Sequence, residues 1–323
     1  MSKTPRVPSF FVLVPGPWRD ADEVVRALRA QGVASHVRDS APIEAGHVRV
    51  GVIEDERLGD AFSWGRRGPL PPDLVAQVAA CARAALVELG FRLDQAPARV
   101  AEVGRALRAA GGVAVRMEAS GSAWPWQPWL DNLDSGLPDA IYATAVLLAR
   151  GPDGAVFTRG MHIFDLPDAQ ITLDDAPAAI AWLDTFSVYQ LTEAPALGSG
   201  HTFQPDLASD RRAIERWPDH RHHPNDGRHN PFGVWRFLAP GEKSVTAAAL
   251  VPVILPSLAA VLFAAERREG RPLTRAEVET LVEQSPAITM ERRDAIALEQ
   301  SRGYADLEPE LAWEQWLIVR ATS

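Results

Sequence analysis

The sequence predicts an α+β protein, with a mostly antiparallel sheet of ferredoxin-like β–α–β elements and a helical C-terminal extension. Three observations indicate this class. The chain opens with an apolar run, a helical pattern and an alternating run in succession. A turn signature, Gly151-Pro152-Asp153-Gly154, separates two β-rich runs near the middle. Helical patterns fill the last part, so we expect an α+β domain over 1–240, divisible into halves 1–110 and 111–240, and an extension over 241–323 packed on it.

The first elements follow from local patterns. Residues 9–14, SFFVLV, form an apolar run typical of a buried strand, and residues 47–53, HVRVGVI, alternate as a half-buried strand does. Between them, Asp20 and Glu23 predict the start of a helix and Gly32 predicts its end. The chain is therefore expected to open β–α–β.

Prolines mark the next two helices. Pro71 and Pro72 predict the start of a long helix whose apolar face extends to Gly90. A second helix is expected from Pro97 to Gly111, followed by a strand over 113–117.

The middle of the chain contains the clearest hairpin signal. In IYATAVLLARGPDGAVFTRGMHIF, strand is expected on both sides of the turn, which places His162 in a strand. Asp174 and Asp175 then predict the N-terminus of a helix. Periodicity fades over 195–231, where a long irregular region is expected, and a strand resumes over 233–238.

The C-terminal part is expected to be helical. Helices are predicted from Pro256, from a capping box of Thr274 and Glu277, and from Pro309. The last of these carries Trp313, Trp316 and Leu317 on one face.

The charge balance restricts the class of partner. The chain holds 42 acidic and 33 basic residues, which gives a net charge of −9. Non-specific nucleic-acid binding needs clustered positive charge, so this balance argues against a nucleic-acid partner. An acidic surface suits a basic protein partner instead. The only cysteine, Cys81, excludes an internal disulfide and suits a reducing cytoplasm, where an inert buried thiol is expected.

One uncharged run has the length of a membrane span. Residues 245–265, VTAAALVPVILPSLAAVLFAA, carry no charge, but Pro252 and Pro256 interrupt them and no aromatic belt flanks them. We expect a buried strand or turn followed by a helix, and no membrane association. The first residues, MSKTPRVPSF, hold no apolar segment typical of a secretion signal, so we expect a cytoplasmic protein.

The segment VFTRGMHIFDLPDAQI, with the run IYATAVLLAR ahead of it, resembles an uncharacterised bacterial family, domain of unknown function 4261. The pieces GMH at 160–162 and LPD at 166–168 carry most of the likeness, which extends over roughly residues 100–240. The resemblance implies an α+β fold of ferredoxin-like elements and no established activity, so no catalytic residue is carried over. Proteins of this kind are often found near bacterial secretion and toxin–immunity loci, which implies a role of the immunity type.

A histidine-rich loop, RHHPNDGRHNPFG at 221–233, is the main candidate for a metal site. Imidazoles and carboxylates bind zinc and other divalent ions, and the candidates here are His201, His220, His222, His223, Asp226 and His229. Their spacing matches no established zinc motif, and Pro224 and Gly227 are typical of turns. A polar loop without a cofactor is the favoured interpretation, and a zinc-like divalent metal is the alternative.

A tryptophan-rich stretch, SAWPWQPWLDNL at 122–133, is interpreted as a loop. In it, Trp124, Trp126 and Trp129 alternate with prolines, and exposed indoles on a stiff loop stack on sugars or peptides or anchor a protein partner. Burial of all three rings over the sheet is the favoured alternative, because three exposed tryptophans would promote aggregation.

A short acidic run completes the set of candidate binding residues. Glu54, Asp55 and Glu56 suit contact with a basic partner. The sequence holds no nucleotide-binding loop, nucleophile elbow or zinc-protease motif. It therefore favours a non-catalytic cytoplasmic binding protein, of the immunity type that masks a basic toxin or effector. A metal-dependent hydrolase that uses 201–229, and a sugar or peptide binder that uses 124–129, are the alternatives.

Overall fold

The computed structural model describes residues 7–66, 68–242, 250–254, 256–291, 298, 302, 304, 306, 307 and 309–322. The chain divides into two compact units. Unit 1 is formed by Met1–Leu148, Thr158–Leu166 and Ser187–Ala194, and unit 2 by Ala149–Phe157, Pro167–Phe186 and Pro195–Ser323. This division differs from the predicted boundaries near 110 and 240. Helices occur together with antiparallel and mixed sheets, which confirms the predicted α+β class.

The strands of unit 1 form one large sheet and one small hairpin. In chain order they are Phe10–Gly16 (β1), Ser35–Val37 (β2), Val48–Glu54 (β3), Trp64–Gly65 (β4), Gly68–Pro69 (β5), Arg83–Leu89 (β6), Val115–Met117 (β7) and Ser122–Trp124 (β8). The large sheet has the order β2-β3-β6-β1-β7-β8, and β4 pairs with β5. Strand β6 lies between β1 and β3 and is antiparallel to both along its whole length.

Helices cover this sheet on both faces. They are Ala21–Ala30 (α1), Leu58–Ala61 (α2), Pro72–Ala79 (α3), Pro97–Ala109 (α4), Trp126–Ser135 (α5) and Pro138–Ala145 (α6). Alternation along β1 points Val12 and Val14 into the core that α1, α4 and α5 cover, whereas Leu13 joins a second cluster with Phe62 and Val78. The elements β1–α1–β3 and β6–α4–β7 form two interleaved β–α–β units.

The first predicted helix is confirmed in detail. The Asp20 side chain accepts the N–H of Glu23 at 2.8 Å, as an N-cap does, and Gly32 follows the helix with a φ of +82°. The helix from Pro97 is also confirmed, since α4 begins at that residue.

The predicted long helix from Pro71 to Gly90 is wrong. Only Pro72–Ala79 is helical, and Arg83–Leu89 is the central strand β6. Strand β6 is buried on both faces, as Ala84, Val87 and Leu89 are. A strand in that position carries a continuous apolar run, which helical spacing also fits.

Two further predictions near the middle of the chain need correction. The run IYATAVLLAR is not strand throughout, because Pro138–Ala145 is helix α6 and strand begins only at Leu147. His162 is not in a strand either, since Met161–Phe164 forms a 3₁₀ helix after Gly160, whose φ is +116°. A Cβ at Gly160 would lie 2.7 Å from the Ala145 carbonyl oxygen, so this close approach requires glycine.

A second six-stranded sheet follows. Its strands are Leu147–Arg150 (β9), Val156–Arg159 (β10), Asp168–Ile171 (β11), Thr202–Phe203 (β12), Arg212–Trp217 (β13) and Val234–Phe237 (β14), in the order β12-β13-β14-β11-β10-β9. Neighbouring β9 and β10 flank the predicted turn, which confirms the hairpin. Helix Ala176–Glu193 (α7) follows β11, directly after the predicted Asp174-Asp175 start. The region 195–231 is less irregular than predicted, because β12 and β13 lie within it.

The C-terminal part of unit 2 has its own apolar cluster. It contains a two-stranded sheet of Leu250–Ile254 (β15) and Ala287–Glu291 (β16), and helices Leu258–Glu269 (α8), Arg275–Gln284 (α9) and Ala312–Thr322 (α10). Leu258, Leu262 and Trp316 are fully buried in the cluster. The predicted capping box is present, because the Thr274 side chain accepts from Glu277 N–H and the Glu277 carboxylate accepts from Thr274 N–H.

Among the described residues, no helix has both the length and the apolarity that crossing a bilayer requires. In the uncharged run at 245–265, strand β15 precedes helix α8, as predicted. Residues 245–249 and 255, like the N-terminal residues 1–6, lie outside the described part of the chain.

Candidate functional site

The histidine-rich loop is organised around one buried carboxylate. Asp219 is 5% exposed, and its Oδ1 accepts the N–H of Arg221 at 2.9 Å. Its Oδ2 accepts the N–H of Asn230 at 2.9 Å and lies 3.2 Å from Nδ1 of His222 and 3.6 Å from Nδ1 of His229. We call these five residues the Asp219 cluster. Two of the predicted histidines, His222 and His229, therefore lie next to the same oxygen, Oδ2 of Asp219.

The charge of Asp219 is stabilised in place. Burial alone would raise its pKa, but the hydrogen bond and charge of His222, together with two backbone N–H groups, lower the pKa to about 2. The carboxylate is therefore ionised at neutral pH although it is removed from water.

Further contacts within unit 2 tie the loop to the sheet. The Arg221 guanidinium donates to Gln170 Oε1 at 2.9 Å and to Asp153 Oδ2 at 2.8 Å, and it lies 4.2 Å from the Phe157 ring centroid. Asn230 donates to Asp168 Oδ2 at 2.7 Å. Because each buried charge has an opposite charge or several donors, the Asp219 cluster holds the loop in one conformation.

The other predicted metal ligands do not join the Asp219 cluster. His201 Nδ1 accepts the N–H of Gly198 at 3.3 Å, and His223 Nδ1 accepts the N–H of Asn225 at 3.2 Å. The guanidinium of Arg228 binds Asp226 at 2.6 Å and, as the main cause, lowers the pKa of that carboxyl to about 2. Within the described ranges, no three histidine, cysteine, aspartate or glutamate side chains are arranged to hold a metal ion. The divalent metal site stays a prediction.

His220 differs from its neighbours in the loop. Its ring packs edge-on against Trp217 with the centroids 5.6 Å apart, and its Nδ1 is buried without a hydrogen-bond partner. Burial first, and the nearby charge of Arg221 second, lower the pKa of His220 to about 4. The imidazole is therefore neutral at physiological pH.

The tryptophan-rich stretch is part of the core and is not a loop. Ser122–Trp124 is strand β8 and Trp126–Ser135 is helix α5. Trp126 is 6% exposed and Trp129 is 1% exposed, and their rings meet edge to face at 5.9 Å. Trp126 Nε1 donates to the Gly112 carbonyl at 2.7 Å. These two rings lie inside unit 1, as the buried interpretation predicts, and Trp124 is half-buried.

A different tryptophan is exposed. Trp64 has 64% of its surface exposed, and it lies in the small hairpin that follows the acidic run. Glu54, Glu56 and Asp60, just before it, are exposed as well, and Asp55 is half-buried. We call Trp64 and these four acidic residues the Trp64 surface. Trp64 was not among the predicted site residues, although the glycine- and proline-rich segment SWGRRGPLPP marks a tryptophan beside a tight turn.

The hairpin holds Trp64 rigidly. Gly65, the next residue of the strand, is buried, so alternation turns Trp64 outwards. Leu70 N donates to the Ser63 carbonyl at 3.0 Å, and the strand-to-strand pairing matches Trp64 with Pro69. A Cβ at Gly65 would lie 2.7 Å from the Ala123 carbonyl oxygen of β8, so glycine allows the hairpin to lie against the sheet.

The acidic side chains of the Trp64 surface are only weakly engaged within the chain. Glu54 pairs with Arg83 at 2.6 Å, but its side chain is 71% exposed and such surface pairs contribute little. Asp55 accepts the N–H of Arg57 at 2.8 Å. Ser63 Oγ donates to the backbone carbonyl of Asp60, so the side-chain carboxylate of Asp60 takes no part in this bond, and Asp60 is exposed. These carboxylates are available to an incoming positive charge.

Comparisons with protein-family models, with curated proteins and with solved structures found no match to this chain. The resemblance carried by the segments at 160–162 and 166–168 therefore stays a prediction from the sequence, and the function rests on the chemistry of the described surfaces.

Proposed function

We propose that this chain is a non-catalytic binding protein that masks a basic protein, as an immunity-type protein masks a toxin or effector. The observation that carries the proposal is the exposure of Trp64 on a hairpin that follows exposed acidic residues closely along the chain. Tryptophan is the residue most enriched among the side chains that dominate binding energy at protein interfaces. With 64% of its surface exposed, Trp64 presents an apolar ring to water. A partner that covers this ring would remove apolar surface from water, which favours binding.

Rigidity supports the same role. The hairpin is fixed by buried Phe62, by the contact of Gly65 with β8, and by Arg66, which donates to the Val146 carbonyl and lies 4.8 Å from the Tyr142 ring centroid. A side chain held in place before binding loses little conformational entropy when a partner covers it.

The charges select the kind of partner. Glu56 and Asp60 are exposed on the same short segment as Trp64, and the whole chain carries a net charge of −9. Such an arrangement attracts a basic surface over a distance and orients it around the central aromatic anchor. A basic toxin or effector domain fits these requirements.

Other functions have less support. A hydrolase would need imidazoles and carboxylates that converge on a metal, but Arg228 binds Asp226, and His201 and His223 accept backbone N–H groups. A sugar or peptide binder at 124–129 would need exposed rings, but Trp126 and Trp129 are buried.

The proposal is tested with a pair of surface variants. Trp64→Ala removes the proposed anchor, and Leu207→Ala removes a side chain that is 99% exposed in unit 2 and serves as the matched control. Basic proteins encoded by the source cell are expressed singly, and the binding of each to wild type is measured by calorimetry. We expect a basic partner whose affinity falls at least thirtyfold, or about 2 kcal/mol, with Trp64→Ala and stays unchanged with Leu207→Ala.

Masking is tested separately by co-expression. The partner should harm cells when it is expressed alone and should be tolerated in the presence of wild type, whereas Trp64→Ala should protect poorly. Equal protection by Trp64→Ala and wild type would show that the Trp64 surface is not the site. The absence of any basic partner would contradict the proposed function itself.

A further inference from the structure

Arg212, at the start of β13, is a buried cation whose Nε–H has no acceptor among the described residues. It is 8% exposed, so more than nine-tenths of the residue is removed from water. Its only hydrogen bond among the described residues runs from Nη1 to the Leu238 carbonyl at 3.5 Å, the outer limit of such a contact. Its Nε has no partner, and no carboxylate of the described chain forms an ion pair with it.

The other buried arginine described in unit 2 differs in this respect. Arg221 binds Asp153 at 2.8 Å. A guanidinium carries five N–H donors, and burying one without an acceptor is costly. Of these two arginines, Arg212 is the one that has no carboxylate partner among the described residues.

The surroundings of Arg212 are aromatic. Its Cζ lies 5.8 Å from the ring centroid of Trp182, which is 5% exposed, and Trp182 in turn packs edge to face against Phe237 at 5.7 Å and Phe203 at 6.3 Å. The indole face offsets part of the charge of Arg212. The Trp182 Nε1–H is itself buried without an acceptor.

The Arg212 Nε–H and the Trp182 Nε1–H are both hydrogen-bond donors without an acceptor among the described residues. A ligand that satisfies them must therefore supply acceptors. A carboxylate or phosphate carries only acceptors, and its planar or tetrahedral oxygens match the two-pronged geometry of a guanidinium. The aromatic rings would cover the apolar part of such a molecule.

We propose that Arg212 and Trp182 bind the oxyanion of a small molecule, a carboxylate or a phosphate, at the β12 edge of the second sheet. Strand β12, which pairs Phe203 with Arg212, is only two residues long, its Thr202 is exposed and its Phe203 is half-buried, so Arg212 lies one strand away from the exposed edge of the sheet. The site is independent of the Trp64 surface and of the masking function.

Thermal unfolding with two kinds of probe tests the proposal. Wild type is unfolded in the presence of inorganic phosphate, propionate or benzoate, each at constant ionic strength against chloride. The phosphate and carboxylate arms identify which oxyanion the site prefers, and the two carboxylates report whether the aromatic rings contribute. We expect one of them to raise Tm in proportion to the logarithm of its concentration above Kd, by about 5 °C at a hundredfold excess over Kd.

Variants then assign the effect to the site. Arg212→Met should abolish the rise, and Trp182→Phe, which keeps the ring and removes the donor, should weaken binding about tenfold. Arg83→Met, at an exposed arginine that pairs with Glu54, is the control and should respond as wild type does. If Arg212→Met fails to fold, Arg212→Lys keeps the charge without the two-pronged geometry and should also bind at least tenfold more weakly.

Two results would overturn the proposal. One is a wild-type Tm that follows ionic strength alone, with calorimetry showing no saturable binding of any probe. The other is an equal response of wild type and an Arg212 variant to the probe that binds.

Discussion

Trp129 is one of the largest fully buried side chains of unit 1, although it lies in a proline-rich stretch that is typical of a loop. It is 1% exposed, and it packs so closely on α4 that a Cβ at Gly104 would lie 2.4 Å from its ring. We expect Trp129→Ala to lower the free energy of unfolding by about 3–5 kcal/mol, because the helix pair cannot close the cavity. Urea denaturation measures this. Trp64→Ala, which removes an exposed ring, should change the same quantity by less than about 0.5 kcal/mol, and equal losses for both variants would contradict the packing described here.

His220 should make the protein less stable in mild acid. Its pKa is about 4 in the folded chain, against an ordinary value near 6.5, so between these values the unfolded chain binds a proton that the folded chain does not. Stability should therefore fall as the pH is lowered from about 6.5 to about 4. In His220→Phe, which keeps an aromatic ring against Trp217, the free energy of unfolding should depend less steeply on pH over this window. An unchanged slope would count against a neutral buried imidazole.

Asp219 acts in a lower pH window. Its folded pKa of about 2 lies below the ordinary value of about 3.8, so the stability that its ionised form contributes is fully present above about pH 4 and is lost as the pH falls towards 2. The Asp219→Asn variant should show a correspondingly smaller loss of stability between pH 4 and 2, measured by the same urea titrations.

At the scale of elements, the main error of the sequence prediction lies between Pro71 and Gly90. The helical spacing of apolar residues there is real, but β6 pairs with both β1 and β3 and is buried on two faces. Such an apolar run becomes a strand when it pairs with strands that are distant in the sequence. Because this pairing is not encoded in the run itself, local patterns do not predict it.

Helix α5, in contrast, had a local signal. Trp126, Trp129, Leu130 and Leu133 follow the i, i+3, i+4, i+7 spacing of a helix face, and Gly136 ends the helix in the left-handed conformation with a φ of +65°. The prolines at 125 and 128 favoured the loop interpretation, although proline is well tolerated in a first helical turn.

The capping box of α9 offers a test at this scale. Thr274 and Glu277 bind each other's backbone N–H groups, so Thr274→Ala leaves a donor of the first turn without its partner. We expect a loss of about 1 kcal/mol in the free energy of unfolding, from denaturant titration followed by circular dichroism. Thr274→Ser keeps the hydroxyl and should lose much less, so equal losses for the two variants would exclude a capping role.

At the scale of the whole molecule, the net charge of −9 should govern how fast a basic partner associates. Reversing Glu56 and Asp60 to lysine should lower the association rate at low salt by about tenfold or more and should make it less sensitive to salt. Stopped-flow fluorescence at several salt concentrations measures the association rate and its dependence on salt. Reversing Glu193 and Glu283, which are also exposed, changes the net charge equally and serves as the control. Equal slowing by both pairs would mean that only the total charge matters and that the Trp64 surface has no local role.

The candidate sites were predicted only in part. The sequence identified the acidic run and the histidine-rich loop as polar surfaces, but it gave no way to see that Asp219 would gather His222 and His229, because their meeting depends on the path of the loop. It also directed attention to Trp126 and Trp129 and away from Trp64, since exposure depends on which ring the helices cover.

The sequence by itself determined the α+β class, the caps of α1 and α9, the hairpin turn at 151–154 and the acidic charge. These features depend on residues that are neighbours along the chain, where backbone hydrogen bonding and turn geometry are decided locally. Tertiary structure alone decided that β6 is a central strand, that Trp129 is interior and Trp64 exposed, and that Arg212 is buried with no carboxylate partner in the part of the chain that the structure describes. Each of these depends on contacts between segments far apart in the sequence, and burial is a property of the packed chain that no single segment encodes.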